Sequence, residues 1–262
     1  MEETLAEIEF LALSPNRVTV LESLAEGRRT RSELAEATGA SQATLGRILG
    51  DFEDRDWATR IDGGYAATAT GRLVAEGFRD LLDVMAVERE LRDVVAYLPT
   101  EAMEFDLRHL ADATIVTPTQ TRPNAPLQRL LALMRDAESV TAFSHALNDQ
   151  SLSVVADRLG AQEFEAVLTR GAVDSLTADE TLRARLRRVV SAPSAGVRVA
   201  DGDIPVAVTV ADDVVNFLVR DDRGVVQASV DTTDPAVREW AQRRYEHYRV
   251  NSEPLTAEDL DG

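Results

Sequence analysis

Between Ser41 and Arg47 the chain reads SQATLGR, four hydrogen-bonding side chains of different kinds within seven residues. Ser and Thr bring hydroxyls, Gln a paired donor and acceptor, and Arg a rigid fork of donors. If the stretch is helical, Ser41, Gln42, Thr44 and Arg47 lie near the exposed N-terminal half of the helix. A carboxamide complements the major-groove edge of adenine, and a guanidinium complements that of guanine. Gly46 lets a facing backbone approach closely.

Other chemistry is harder to assemble. Cysteine is absent, which removes disulfides, thiolate zinc sites and cysteine nucleophiles. Lysine is absent too, all 28 basic residues being Arg. P-loop lysines, Schiff bases and Ser-x-x-Lys pairs are therefore unavailable. No G-x-S-x-G, H-E-x-x-H or G-x-G-x-x-G occurs. His145 is followed by Leu147 and Leu152 where a phospholipase-D-like His-x-Lys-x-x-x-x-Asp motif needs Lys and Asp. His109 and His247 are equally isolated, and the acids Asp201, Asp203, Asp212 and Asp213 sit in turn-like stretches. The expectation is a non-enzyme with no catalytic residues, metal or cofactor.

The elements that would position Ser41–Arg47 are legible around it. VTVLESLAEG carries a helical apolar stripe at Val18, Leu21, Leu24 and Ala25, closed by Gly27. Thr30 and Glu33 have the spacing of a reciprocal capping box. Gly39 ends that second helix, and Ser41 caps a third with Leu45, Ile48, Leu49 and Phe52 on its inner side. WATRIDGGYAATA then reads as two short strands about Asp62-Gly63-Gly64. Three helices followed by a hairpin make a winged helix-turn-helix.

The run TRSELAEATGASQATLGRIL, continuing to Trp57, resembles the helix-turn-helix of the ArsR and MarR group of winged-helix transcription regulators. The resemblance implies that Ser41–Phe52 is a recognition helix and Ile61–Ala66 a wing. It implies DNA contacts at Arg28, Thr30, Arg31, Ser41, Gln42, Thr44, Arg47, Arg60 and Tyr65. Some winged helices bind only proteins, so an adaptor is the alternative. Charge permits the DNA reading: the chain carries a net −18, yet residues 28–60 hold six acids and six Arg. Lysine-free, acidic composition suits a high-salt cytosol, where phosphate attraction weakens and base-edge bonds carry more of the affinity. It points to a salt-loving archaeon.

Beyond the wing, Val74, Gly77, Leu81, Val84, Glu88, Leu91, Val95 and Leu98 follow heptad-like steps with no proline before Pro99. A long helix over 71–99 is expected, dimerising through Leu81, Val84, Leu91 and Val95 or bridging domains within one chain. Regulators of this kind bind two-fold sites as homodimers.

Past Pro99 the pattern alternates strands at 113–117, 138–143, 163–168 and 196–200 with helices, implying a mostly parallel α/β sheet. IPVAVTV, VVNFLV and GVVQASV extend it as an antiparallel meander, so the fold class expected is α+β and α/β, with a mixed sheet in the C-terminal domain. DPAVREWAQRRYEHYR is a final helix, Asp234 its cap and Pro235 its first residue. DGDIPVAVTVADDVV with this helix resembles the C-terminal half of archaeal regulators named for a methanogen filament regulator. That implies a sensor domain, with Trp240, Tyr245 and Tyr248 serving as core or interface. In a parallel sheet, loops at the strand C-termini would gather Thr117, Thr119, Arg122, Ser144, His145, Asn148 and Arg170 around a small-molecule effector, although such residues also serve as ordinary loop and cap residues.

The domains expected are a winged helix over 1–70, a linking helix over 71–99, an α/β effector domain over 100–255 and an acidic tail over 256–262. No run of eighteen apolar residues occurs and the opening MEETLAEIEF is acidic, so a cytoplasmic protein without membrane contact is expected.

Overall fold

The computed structural model describes residues 1–260, and the chain forms two compact units, Met1–Ala86 and Val87 onward. The first unit begins with α1 (Glu2–Ala12), α2 (Pro15–Glu26), α3 (Arg31–Thr38) and α4 (Gln42–Glu53). It continues with β1 (Ala58–Ile61), β2 (Gly64–Ala67) and the start of α5 (Ala69–Leu91). Helix α1 is an addition to the three expected from the apolar pattern.

Local chemistry sets the boundaries. The Thr30 hydroxyl accepts the Glu33 N–H while the Glu33 carboxylate accepts the Thr30 N–H at 2.6 Å, so each residue satisfies a donor that the helix start leaves free. Gly39 stops α3 at φ 67°. Ser41 Oγ accepts from the Thr44 N–H and starts α4. The wing pairs β1 antiparallel to β2 through Asp62 and Gly63, at φ 34° and 77°. Two successive positive φ values give the turn that matches strand twist, and Asp and Gly tolerate them. Leu21, Leu24, Leu34, Leu45, Leu49, Phe52 and Trp57 fill the core beneath. This is the winged helix-turn-helix that the sequence implies.

The second unit departs further from expectation. Helix α5 stops at Leu91 instead of running to Pro99, and short 3-10 turns follow at Val95–Tyr97, Thr100–Ala102 and Leu107–Leu110. The chain then alternates β3 (Thr114–Val116), α6 (Ala125–Asp136), β4 (Ser139–Ser144), α7 (Asp149–Arg158) and β5 (Glu163–Thr169). Next come α8 (Arg170–Thr177), α9 (Glu180–Val190), β6 (Ala195–Ala200), β7 (Ala207–Ala211), β8 (Val214–Arg220) and β9 (Val226–Thr232). Helix α10 (Pro235–Val250) and β10 (Ser252–Pro254) complete the framework.

Eight strands form one mixed sheet in the order β10-β6-β5-β4-β7-β8-β9-β3. Only the β4–β5 and β5–β6 pairings are parallel; the rest are antiparallel. The mixed sheet expected is present, with its β7–β8–β9 meander; only its parallel share is smaller than the alternating pattern implies, confined to these two pairings. Strand residues alternate between two cores. Val140, Ala142, Phe164 and Leu168 join residues of α6 to α9 on one face. Phe143, Val167, Val208 and Phe217 join α10 and residues 87–110 on the other. There Trp240 is 1% exposed, with the rings of Phe105, Phe143 and Phe217 centred 5.2, 6.1 and 5.7 Å away.

Candidate nucleic-acid interface and effector cavity

On the first unit, α4 turns Leu45, Ile48, Leu49 and Phe52 inward and leaves Gln42 and Arg47 exposed. The period of 3.6 residues enforces this division. Ser41 is also exposed but shares its hydroxyl with Thr44, 3.0 Å away. Gln42 and Arg47 are therefore the freer hydrogen-bonding side chains on this face. Thr30 is committed to its capping box.

Tyr65 is corrected from a surface contact to a support. It is 4% exposed, and its hydroxyl accepts hydrogen bonds from Arg60 at 2.6 Å and from Arg31 at 3.1 Å. Both guanidinium groups also lie near its ring, 5.2 and 5.7 Å from the centroid. One buried phenol thus holds two cations, one at the first residue of α3 and one on β1 of the wing, in a shared position. The hydrogen bond to Tyr65 raises the Arg60 pKa further above its ordinary value. Arg28 donates to the Asp62 carbonyl at 2.6 Å, and the backbone of Arg29 exchanges both hydrogen bonds with Tyr65. The segment before α3 is thereby stitched to the wing. The sequence contained the signal for this clamp, a lone aromatic opposite Arg60 in a hairpin, but not its long-range partner Arg31.

The seam of α5 is divided. Leu81 and Val84 are exposed, as are Leu82 and Met85. Leu91 is 3% exposed and belongs with the partly buried Val95 to the core of the second unit, so neither offers a dimer surface. Because the helix ends at Leu91, the heptad spacing continues in sequence without continuing in space.

In the second unit, the seven residues expected to meet do not. Strand β3 lies beyond β7, β8 and β9 from β4, roughly 19 Å away at the usual strand spacing. Thr117, Thr119 and Arg122 are therefore remote from the others, and Thr119 and Arg122 close a turn on each other. Ser144 is engaged with the backbone of Ala146. Asn148 caps α7 by accepting the Ser151 N–H, and Arg170 opens α8 with Asp201 4.0 Å away. Ser144 and Asn148 line only a small recess of about 30 Å³.

His145 alone reaches a larger cavity, of about 470 Å³, where β4 and β8 end and β7 begins. Tyr97, Leu98, Val206, Val219 and Arg220 share its wall. His145 Nδ1 lies 3.0 Å from the Ile204 carbonyl. A carbonyl only accepts, so Nδ1 carries the proton and Nε2 is left as an acceptor in the neutral ring. Burial lowers the His145 pKa, and the nearby Arg220 charge adds to this against the opposing hydrogen bond to Ile204. Arg220 escaped sequence reading because VVNFLVR looks like a buried strand ending in an ordinary solvated cation. Among the described residues no group of three or more His, Cys, Asp or Glu is placed to hold a metal, and no helix is long and apolar enough to cross a membrane.

Two family models match the two parts of the chain. Residues 5–90 match the HVO_A0261 N-terminal domain. Residues 123–251 match the middle domain of the methanogenesis regulatory protein FilR1. No curated protein matches in sequence. Among solved structures, the archaeal chromatin protein TrmBL2 is 15% identical, with 95% of this chain and 98% of that chain covered, at a TM-score of 0.41. Nuc, a phospholipase D family member from Salmonella typhimurium, is 13% identical over 55% of this chain and 99% of its own, at 0.42. NucT from Helicobacter pylori is 11% identical over 55% and 98%, at 0.39.

Proposed function

We propose that the protein is an archaeal transcription regulator: a winged helix that reads duplex DNA, working as a homodimer under the control of a small molecule bound by the FilR1-like unit. The observation that carries the reading is the exposed Gln42 and Arg47 on a capped helix, together with Arg31 of α3 and Arg60 of the wing, both held on Tyr65. Groups matched to base edges and cations for the backbone then face outward in one small module. The matches to the HVO_A0261 N-terminal and FilR1 middle domains support a regulator rather than an enzyme. Dimerisation is supported by the exposed apolar stretch Leu81, Leu82, Val84 and Met85 on α5. The lysine-free composition supports a halophilic, cytoplasmic setting.

An electrophoretic shift against the gene's own upstream region, run in potassium chloride, tests the DNA reading. Arg47→Ala is expected to weaken specific binding roughly ten- to a hundredfold, the size of losing one bidentate base contact. Its thermal unfolding should match the parent's, because the side chain is exposed. Wild-type protein that binds no duplex while capturing a protein partner would favour the adaptor instead.

A further inference from the structure

The cavity beside β8 holds a cation without a counter-charge. Arg220 Nη1 donates to the Gly224 carbonyl at 3.0 Å, while its Nε is buried with no acceptor. The neighbouring Asp221 does not serve it. One Asp221 oxygen accepts from the N–H groups of Arg223 and Val225, and the other from the Gln227 amide. Burial pulls the Arg220 pKa below its ordinary value, as expected where lost hydration is not replaced by a carboxylate. A half-buried guanidinium left in this state is poised to recognise an anion.

The rest of the wall narrows the choice. His145 presents Nε2 as an acceptor once Nδ1 is fixed on Ile204, so it suits a hydroxyl donor. Leu98, Val206 and Val219 supply apolar surface for a carbon skeleton, and about 470 Å³ accommodates a small metabolite. Asp221 and Asp222 also border the cavity and disfavour a second negative charge. We propose that this cavity binds a small hydroxylated monocarboxylate, its carboxylate paired with Arg220 and a hydroxyl donating to His145. The proposal rests on the effector reading above and gives that effector a chemical class.

Isothermal titration of the full chain with glycerate, propionate and inorganic phosphate, at fixed potassium chloride, tests it. Saturable binding of glycerate is expected, tighter than that of propionate or phosphate. Arg220→Gln should weaken glycerate binding at least tenfold, and His145→Phe should erase the preference for glycerate over propionate while the protein melts as a folded domain. If Arg220→Gln does not fold, the His145→Phe comparison decides alone. Absence of saturable binding, tighter binding of phosphate, unchanged affinity in folded Arg220→Gln, or an unchanged preference in His145→Phe would each overturn the proposal. A DNA shift assay with and without saturating glycerate separates the two readings: equal DNA affinity ends effector control and leaves the binding result to judge the site.

Discussion

Tyr65 shows how a buried residue can govern a surface it never touches. Its hydroxyl fixes Arg31 and Arg60, so Tyr65→Phe is expected to free both cations while keeping the ring in the core. Affinity for DNA should fall severalfold, through weaker phosphate positioning, with base preference unchanged; binding to operator and scrambled duplexes measures this. In the other unit, His145 offers a titration with a definite sign. Its folded pKa lies below the ordinary histidine value of 6.5, chiefly from burial. The unfolded chain therefore takes up this proton more readily than the folded one. The contribution of His145 to stability is complete above pH 6.5 and is lost as pH falls from there towards the folded pKa. Histidine NMR should place the midpoint below 6.5 in the free protein, and denaturant melts of His145→Phe should lose that part of the acid sensitivity.

Elements whose instructions are local were legible: Thr30 with Glu33, Ser41, Asp234 with Pro235, and the Asp62-Gly63 turn all act within a few residues of themselves. Helix α8 was hidden because it has eight residues and carries Gly171 in its first turn, which reads as loop. Sheet order was hidden for a different reason. Strand β3 pairs with β9 across more than a hundred residues of chain, and no periodicity encodes a partner at that separation. The effector residues were misplaced by the same error, since a parallel sheet would have brought Thr117 beside Ser144. The start of α5 depends on another long-range fit. A Cβ on Gly71 would lie 1.9 Å from the Trp57 carbonyl oxygen, a backbone atom that cannot swing aside. Gly71→Ala is therefore expected to destabilise by several kcal/mol, in the range of severe overpacking. Gly77→Ala, where a Cβ meets nothing within 4 Å, should be neutral or stabilising. Urea midpoints of the two variants should move apart. On the exposed part of α5, Val84→Asp should convert the proposed dimer to monomer by light scattering while leaving the wing folded.

At the scale of the whole chain, a net charge of −18 with no lysine makes salt a structural variable. Arg92 with Glu88, Arg243 with Glu239 and Arg249 with Glu246 are exposed ion pairs, and such pairs contribute little individually. The excess acids repel one another, and this repulsion opposes the folded state more than the expanded one. Raising ionic strength from 0.1 to 1 M contracts the screening length from about 10 Å to about 3 Å, which relieves repulsion between separated acids but leaves contacting pairs largely intact. The melting temperature should therefore climb across this range. DNA affinity should fall over the same interval because cations around the duplex compete with Arg31 and Arg60. Base-edge bonds from Gln42 and Arg47 release no counterions, so specific binding should outlast non-specific binding as salt increases. Parallel titrations with operator and scrambled duplexes in potassium chloride measure the gap. If the two affinities decline together until both vanish below molar salt, the division of labour between α4 and the wing is wrong, even though the fold beneath it stands.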